Sequence, residues 1–265
     1  MSALVYERDP KKPERTAGFE ERLGHLGWER LSVYSPSQKA SRAGLYFDVW
    51  LNPHLSPQVA AIAIRGTEFS HLNDWHSNFR WLLQGFPGGD QYDIVNNELK
   101  PFFADYRTRI GSGNLAVITT GHSLGGGLAQ CVLYEWKAQI RQAYVFDSSP
   151  VTAFVYRGKS ARDFFSYHPP LEGFPAHVIL RVYERGEILA YFRSTTRLVW
   201  PIKEQIGEIR FNADIAWDPI NQHSMSALAR AILNTAQWDG AYPESMPRPW
   251  YWGRTTRPPI PAFKN

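Results

Sequence analysis

The sequence of 265 residues is 43% hydrophobic and 20% charged, a composition that excludes disordered and fibrous proteins and suits one large globular domain. Its one cysteine, Cys131, excludes an internal disulfide framework and any zinc or iron–sulfur site with several cysteine ligands. The 29 basic and 25 acidic residues leave a net charge of +4, and because the basic residues are dispersed and form no nucleic-acid-binding motif, we expect no nucleic-acid partner.

The hydropathy of the chain bears on where the protein works. The first residues contain no apolar run of the length of a signal-peptide core, and no stretch of about 18 uncharged apolar residues follows. We therefore expect no transmembrane segment, and a protein that stays in the cytoplasm or is exported without a cleaved signal peptide. No feature of the sequence points to a particular protein partner.

Apolar runs and helical patterns alternate along the chain. The first 40 residues are polar and irregular. In chain order, the later patterns predict a strand at 44–51, a strand at 59–64, a helix at 101–110, a strand at 115–120, a helix at 125–139, strands at 143–146 and 177–183, and a helix at 224–236. Strands that alternate with helices predict an α/β fold with a mostly parallel sheet and helices on both faces.

The segment from Gly121 to Gly125 carries the most specific motif. Its sequence, Gly-His-Ser-Leu-Gly, satisfies Gly-x-Ser-x-Gly, and a predicted buried strand precedes it while a predicted helix follows. A serine on such a sharp turn needs neighbours without side chains two positions away on both sides, so that chain segments can pass closely. The turn exposes the hydroxyl of Ser123 and directs the first N–H groups of the helix, starting at Leu124, toward the same place. The pattern predicts a nucleophile with an oxyanion site, against the alternative of a tight helix start.

A hydrolase of this kind presents serine, then an acid, then histidine in chain order. Three histidines follow Ser123. His168 precedes two prolines in a loop, and His177 opens a predicted strand. His223 lies in a polar turn just before the last predicted helix, from which its imidazole can reach back over the sheet edge, so His223 is predicted to be the base.

Chain order alone leaves the acid open among four residues. Asp147 ends the predicted strand that follows the nucleophile helix. Glu187 follows the strand at 177–183 by a short turn. Asp214 and Asp218 also lie between the serine and His223.

Four blocks of the sequence resemble the class 3 lipases of the α/β-hydrolase superfamily. They are Ile62–Thr67 with Asp74-Trp75 downstream, Gly121–Gly126, Arg181–Leu189 and His223–Leu228. The resemblance spans about residues 45–235, and the order and spacing of the blocks make it far more specific than any one of them. It implies an α/β-hydrolase fold and a serine hydrolase of carboxylic esters, above all lipid esters, that needs no cofactor and no metal.

The resemblance also implies roles for single residues. Thr67 supplies the second oxyanion donor beside Leu124. The acid falls at Glu187, where the family usually has Asp. Asp147 stays a rival, because some other hydrolases of the superfamily use that strand end and because Asp147-Ser-Ser-Pro departs from the Gly-x-Pro usual in the family.

Several alternatives stay open at the level of function. Fold alone does not fix activity, so the chain could be an inactive hydrolase-fold binding module, and the same triad would serve small non-lipid esters. The aromatic stretch at 69–86 lies where lipases of this family carry a lid, or packs as a core helix. We expect one domain over 1–240, and a tail at 241–265 whose aromatic and cationic residues suit a membrane interface, a partner groove or the surface of its own domain. Similar lipases also occur as toxins delivered by specialised secretion.

Overall fold

One sheet of seven strands organises the part of the chain that the structure describes. The structure is a computed structural model, and it describes residues 1–8, 19–66, 91–148, 173–184 and 204–211, with Met225, Leu228, Ala229 and Ile232 near the end of the chain. The strands are β1 (Glu29–Arg30), β2 (Phe47–Asn52), β3 (Gln58–Ile64), β4 (Leu115–His122), β5 (Ile140–Phe146), β6 (Ile179–Glu184) and β7 (Ile206–Phe211). They lie in chain order, with β1, β2 and β3 antiparallel and every later pair parallel.

Short helices and two longer ones flank this sheet. They are α1 (Phe19–His25), α2 (Gln38–Arg42), α3 (Gln91–Asp105), α4 (Arg107–Gly111) and α5 (Leu124–Glu135), and two 3₁₀ turns lie at Leu4–Arg8 and Ser32–Tyr34. The four described residues from Met225 to Ile232 are helical, which confirms that part of the last predicted helix. Among the described residues, no helix has the length and apolar character needed to cross a membrane.

Alternate residues of β3 pack into two separate cores, one on each face of the sheet. Ile62 and Ile64 belong to the larger core, which includes residues of α3 and α5. Ala61 and Ala63 face the other way, where the 3₁₀ turn at Leu4–Arg8 and helix α1 cover them. Because both faces are covered, β3 is apolar at nearly every position instead of alternating with polar residues. The predicted mostly parallel sheet with helices on both faces is confirmed.

The bounds of several predicted elements are wrong for identifiable reasons. The strand predicted at 44–51 begins at Phe47, because Gly44 has φ +80° and turns the chain. The strand predicted from His177 begins at Ile179, since His177 has φ 57°. The helix predicted at 101–110 is two helices, of which α3 begins ten residues earlier and holds Pro101 in its interior.

Strand register brings the carboxyl ends of four parallel strands to one edge. Ile64 of β3 pairs with Gly121 of β4, Gly121 pairs with Val145 of β5, and Val145 pairs with Arg181 of β6. In open α/β sheets, this edge is where ligands bind. The motif serine follows β4 at the same edge.

The larger core predicts a measurable cost for truncation in α3. Leu99 is fully buried there, so Leu99→Ala should lower the free energy of unfolding by about 2–5 kcal/mol through lost transfer energy and a residual cavity. Val33 is 80% exposed, and Val33→Ala should change the same quantity by less than about 0.5 kcal/mol. Urea denaturation of both variants checks this, and equal effects would contradict the placement of α3.

Candidate active site

Ser123 sits on a strained turn between β4 and α5. Its backbone has φ 57° and ψ −127°, a region that residues with a side chain rarely adopt. Ser123 is 1% exposed, so the predicted exposure of its hydroxyl is wrong, and its side chain makes no capping hydrogen bond with the helix that it begins.

Ser37 shows how an ordinary serine cap looks in the same chain. It precedes α2 with φ −60° and ψ 160°, and its hydroxyl accepts a hydrogen bond from the backbone N–H of Ala40 at 3.2 Å. A capping serine uses its oxygen in this way to satisfy the first turn. Ser123 differs in backbone conformation and in the missing cap bond, so a simple helix-start role does not account for it.

The glycines of the motif allow three chain segments to touch. A Cβ at Gly121 would overlap the carbonyl of Gly125 and lie 2.8 Å from the nitrogen of Gly126. A Cβ at Gly125 would overlap the carbonyl of Ile64 and lie 2.7 Å from the nitrogen of Gly66. The steric reason that the sequence predicts for both motif glycines is confirmed.

The end of β3 passes directly against the serine. A Cβ at Gly66 would lie 3.0 Å from Cβ of Ser123 and 2.5 Å from the carbonyl oxygen of His122. Gly66 immediately precedes Thr67, the predicted second oxyanion donor. Glycine at this position therefore lets the chain reach the turn at Ser123.

The first turn of α5 begins at the serine itself. The N–H groups of Gly126 and Gly127 donate to the carbonyl of Ser123, at 3.0 and 3.4 Å. The N–H of Leu124 comes before these bonds, among the groups that helix geometry leaves without an acceptor inside the helix. Such groups carry the positive end of the helix dipole, which favours a negative oxygen.

Two carboxylates lie fully buried at neighbouring strand ends. Asp147 follows β5 with φ 39°, its Oδ1 accepts a hydrogen bond from the N–H of Glu184 at 2.9 Å, and its Oδ2 lies 4.0 Å from Nε2 of His122. Glu184 ends β6 and is also fully buried. Sequence reasoning missed Glu184, although its place just after a predicted strand end was a usable signal.

Side-chain bonds tie α5 to the strands on which it packs. The hydroxyl of Thr119 in β4 donates to the carbonyl of Ala129 at 3.0 Å. Arg181 of β6 donates to Oε1 of Gln130 at 2.9 Å, and Nε2 of Gln130 donates to the carbonyl of Gly126 at 3.0 Å. These bonds fix the first turns of α5, and with them the turn at Ser123.

The structure brings together Ser123, Leu124 and Asp147 of the predicted site residues. Outside the described residues lie the others, which stay predictions: Thr67, Glu187, His223, Asp214, Asp218, the aromatic stretch at 69–86 and the tail at 241–265. Met225 and Leu228, which follow His223 closely, are buried. The described ranges hold no group of three or more His, Cys, Asp or Glu residues able to bind a metal ion.

The sheet and the turn together define the class of the fold. A mostly parallel sheet with helices on both faces, and a strained serine between a central strand and the helix after it, constitute an α/β-hydrolase fold.

Several solved structures are similar to this chain. No protein-family model matches the sequence, and no curated protein matches it. The M37 lipase is 15% identical over 90% of this chain and 91% of its own, with a TM-score of 0.43. The enterobactin esterase FES from Shigella flexneri is 14% identical over 75% of this chain and 57% of its own, with a TM-score of 0.34. Carboxylesterases of Nitrososphaera gargenis are represented by a structure that is 10% identical over 62% of this chain and 84% of its own, with a TM-score of 0.31. Similarity at this level does not establish a family.

The close approach at the turn predicts a strong effect of a single methyl group. Gly121→Ala should lower the free energy of unfolding by about 1–3 kcal/mol or more, because its Cβ meets backbone that cannot swing away. Gly111→Ala is the matched control, since a Cβ at Gly111 meets nothing within 4 Å and its substitution in α4 should be neutral or stabilising by up to about 1 kcal/mol. Thermal denaturation of both variants measures the contrast, and a harmless Gly121→Ala would disprove the packing described.

Proposed function

We propose that this chain is a serine hydrolase of carboxylic esters, similar to class 3 lipases, with lipid esters as its substrates. One observation carries the proposal: Ser123 occupies a strained turn at the end of β4, and its hydroxyl does not cap the helix that it begins. Strain of this kind persists where the surrounding structure enforces it, and it clusters at active sites. The preference for lipid esters rests on the four sequence blocks.

The proposed reaction proceeds through an acyl-enzyme. Oγ of Ser123 attacks the ester carbonyl carbon while His223 takes the hydroxyl proton. The negative oxygen of the tetrahedral intermediate accepts hydrogen bonds from the N–H groups of Leu124 and Thr67. The ester C–O bond then breaks, and His223 gives its proton to the leaving alcohol. Water, activated by the same imidazole, releases the acid and restores Ser123.

Glu187 is the proposed acid, with Asp147 as the competing candidate. The sequence block Arg181–Leu189 favours Glu187. Asp147 is buried, its Oδ1 accepts from the N–H of Glu184, and its Oδ2 lies 4.0 Å from Nε2 of His122.

The tail at 241–265 supplies a proposed contact with the membrane surface. It combines Trp250, Tyr251 and Trp252 with Arg248 and Arg254. Aromatic and cationic side chains of this kind are favoured at the membrane interface, where a lipid ester would be met.

An inactive binding module of the same fold is the second candidate, because a fold does not fix its function. Labelling with a fluorophosphonate probe separates the two, since only an activated serine reacts with it. Stoichiometric modification of Ser123 supports a hydrolase, and an unmodified but folded protein overturns the proposal. A panel from short soluble esters to phospholipid vesicles then tests the substrate class.

The nucleophile assignment predicts the effect of removing one hydroxyl. Ser123→Ala should reduce turnover by about five to six orders of magnitude, because triad members act as a unit and only binding and the oxyanion site remain. The variant should keep the native circular dichroism spectrum. Retention of more than a few per cent of the activity would refute the mechanism.

The two acids predict opposite rankings of a pair of isosteric variants. If Glu187 orients His223, Glu187→Gln should lower turnover by about three to four orders of magnitude, because the amide favours the wrong tautomer and removes the charge that stabilises imidazolium. Asp147→Asn should then cost about tenfold or less. Both are measured in one ester assay after their folding has been checked.

The reverse ranking of these variants would move the acid to Asp147. It would also weaken the class 3 resemblance, since that family places its acid after the later strand. Equal and small losses would mean that neither residue is the partner of His223.

A further inference from the structure

The 3₁₀ turn at Leu4–Arg8 packs along the strands that lead to the candidate site. Leu4 is buried in the smaller core with Trp50 and with Ala61 and Ala63 of β3. Before it, the hydroxyl of Ser2 makes a buried hydrogen bond of 2.7 Å with that of Thr120 in β4. The segment is therefore anchored to both β3 and β4, and it belongs to none of the sequence blocks that indicate the function.

Tyr6 extends from this turn to the nucleophile. Its Oη accepts a hydrogen bond from the N–H of Gly66 at 3.2 Å and lies 2.7 Å from Nδ1 of His122, the residue before the serine. The phenol ring also meets the imidazole edge to face, with ring centroids 5.7 Å apart. The guanidinium of Arg65 lies 5.9 Å from the centre of the same phenol ring, within the range of a cation–π contact.

The direction of the hydrogen bond between Tyr6 and His122 depends on the tautomer of the imidazole. With the ring proton on Nε2, Nδ1 accepts from the hydroxyl of Tyr6, and the donors run from the N–H of Gly66 to Tyr6 and from Tyr6 to His122. In either tautomer the hydroxyl of Tyr6 joins the backbone of Gly66 to the side chain of His122.

Strand pairing between β3 and β4 ends just before these residues. The last paired residues are Ile64 and Gly121. Beyond them, Gly66 leads to the predicted oxyanion donor and His122 leads to Ser123. The hydroxyl of Tyr6 bridges the ends of β3 and β4 at this point, beyond their last paired residues.

We propose that Tyr6 is a positioning residue. Its hydroxyl holds Gly66, which leads to the predicted oxyanion donor Thr67, in register with the turn at Ser123. The inference rests on the proposed function, because it concerns the geometry that the ester's negative oxygen would meet. Small errors in such geometry cost rate even when the cause lies away from the chemistry. Tyr6 acts through Gly66 and His122 and does not touch the substrate.

The test removes a single oxygen atom. In Tyr6→Phe, we expect kcat for a soluble ester to fall about tenfold, and the rate of fluorophosphonate labelling to fall in parallel, because both need the oxyanion site aligned with Ser123. KM should stay within about twofold, since the change affects the transition state and not ground-state binding.

Tyr34→Phe is the matched control. Its hydroxyl donates to Oδ2 of Asp105 at 2.8 Å, away from the candidate site. The control loses the same atom and one exposed hydrogen bond, so it should keep kcat and the labelling rate while losing no more stability than Tyr6→Phe.

A double-mutant cycle with His122→Gln separates an effect of positioning on kcat from a general loss of stability. Because Tyr6 and His122 belong to one chain of hydrogen bonds, their effects on kcat should be strongly non-additive, whereas Tyr34→Phe and His122→Gln should add.

The outcomes for the two proposals differ. If the native protein is not labelled, the proposed function fails and this inference falls with it. If the native protein is labelled and Tyr6→Phe is labelled at the same rate, only the inference fails. A Tyr6→Phe variant that has lost native circular dichroism, or that changes KM alone, would also overturn it.

Discussion

The candidate site depends on the close approach of three backbone segments at Ser123. The end of β3, the end of β4 and the start of α5 meet there at distances that no Cβ would allow, and glycine stands at each contact: Gly66, Gly121 and Gly125. Ser123 lies at this contact and adopts φ 57°. The packing around Ser123 offsets the free-energy cost of that conformation.

The rest of the described structure serves to hold this contact in place. Parallel pairing from β3 to β6 fixes the strand ends at one edge, while Thr119, Gln130 and Arg181 bind α5 to the sheet through side-chain hydrogen bonds. Each of these groups is polar and largely inside the protein, where an unpaired polar group would be costly. Because these groups satisfy one another's hydrogen bonds, helix α5 packs in one specific position, which apolar contacts alone would not define.

The sequence predicted the features that depend only on neighbouring residues. Buried strands are continuous apolar runs, and the Gly-x-Ser-x-Gly turn is a steric requirement within five residues, so both could be predicted. Helix α3 begins far before its predicted start. The sequence pattern does not predict its first half, because that half contains Asn96, Asn97 and Glu98. Its helical form depends on packing through Val95 and Leu99. The two-residue strand β1 is too short to have a pattern.

The contacts of Tyr6 lie beyond such prediction for a different reason. They join residue 6 to residues 66 and 122, and nothing in the sequence near Tyr6 marks it as a partner of the motif. Only the packing of the 3₁₀ turn against β3 and β4 brings them together. Long-range polar contacts of this kind are set by tertiary structure and have no sequence spacing of their own.

The environment of His122 decides what that residue can do. It is adjacent to Ser123 in sequence, which makes it an obvious candidate for the base that takes the serine proton. Yet Nδ1 is engaged by the hydroxyl of Tyr6 and Nε2 faces the carboxylate of Asp147, so each ring nitrogen is directed to a group other than the serine. A base must offer one free nitrogen to the nucleophile. In the proposed mechanism the base therefore comes from elsewhere in the chain, as His223 would.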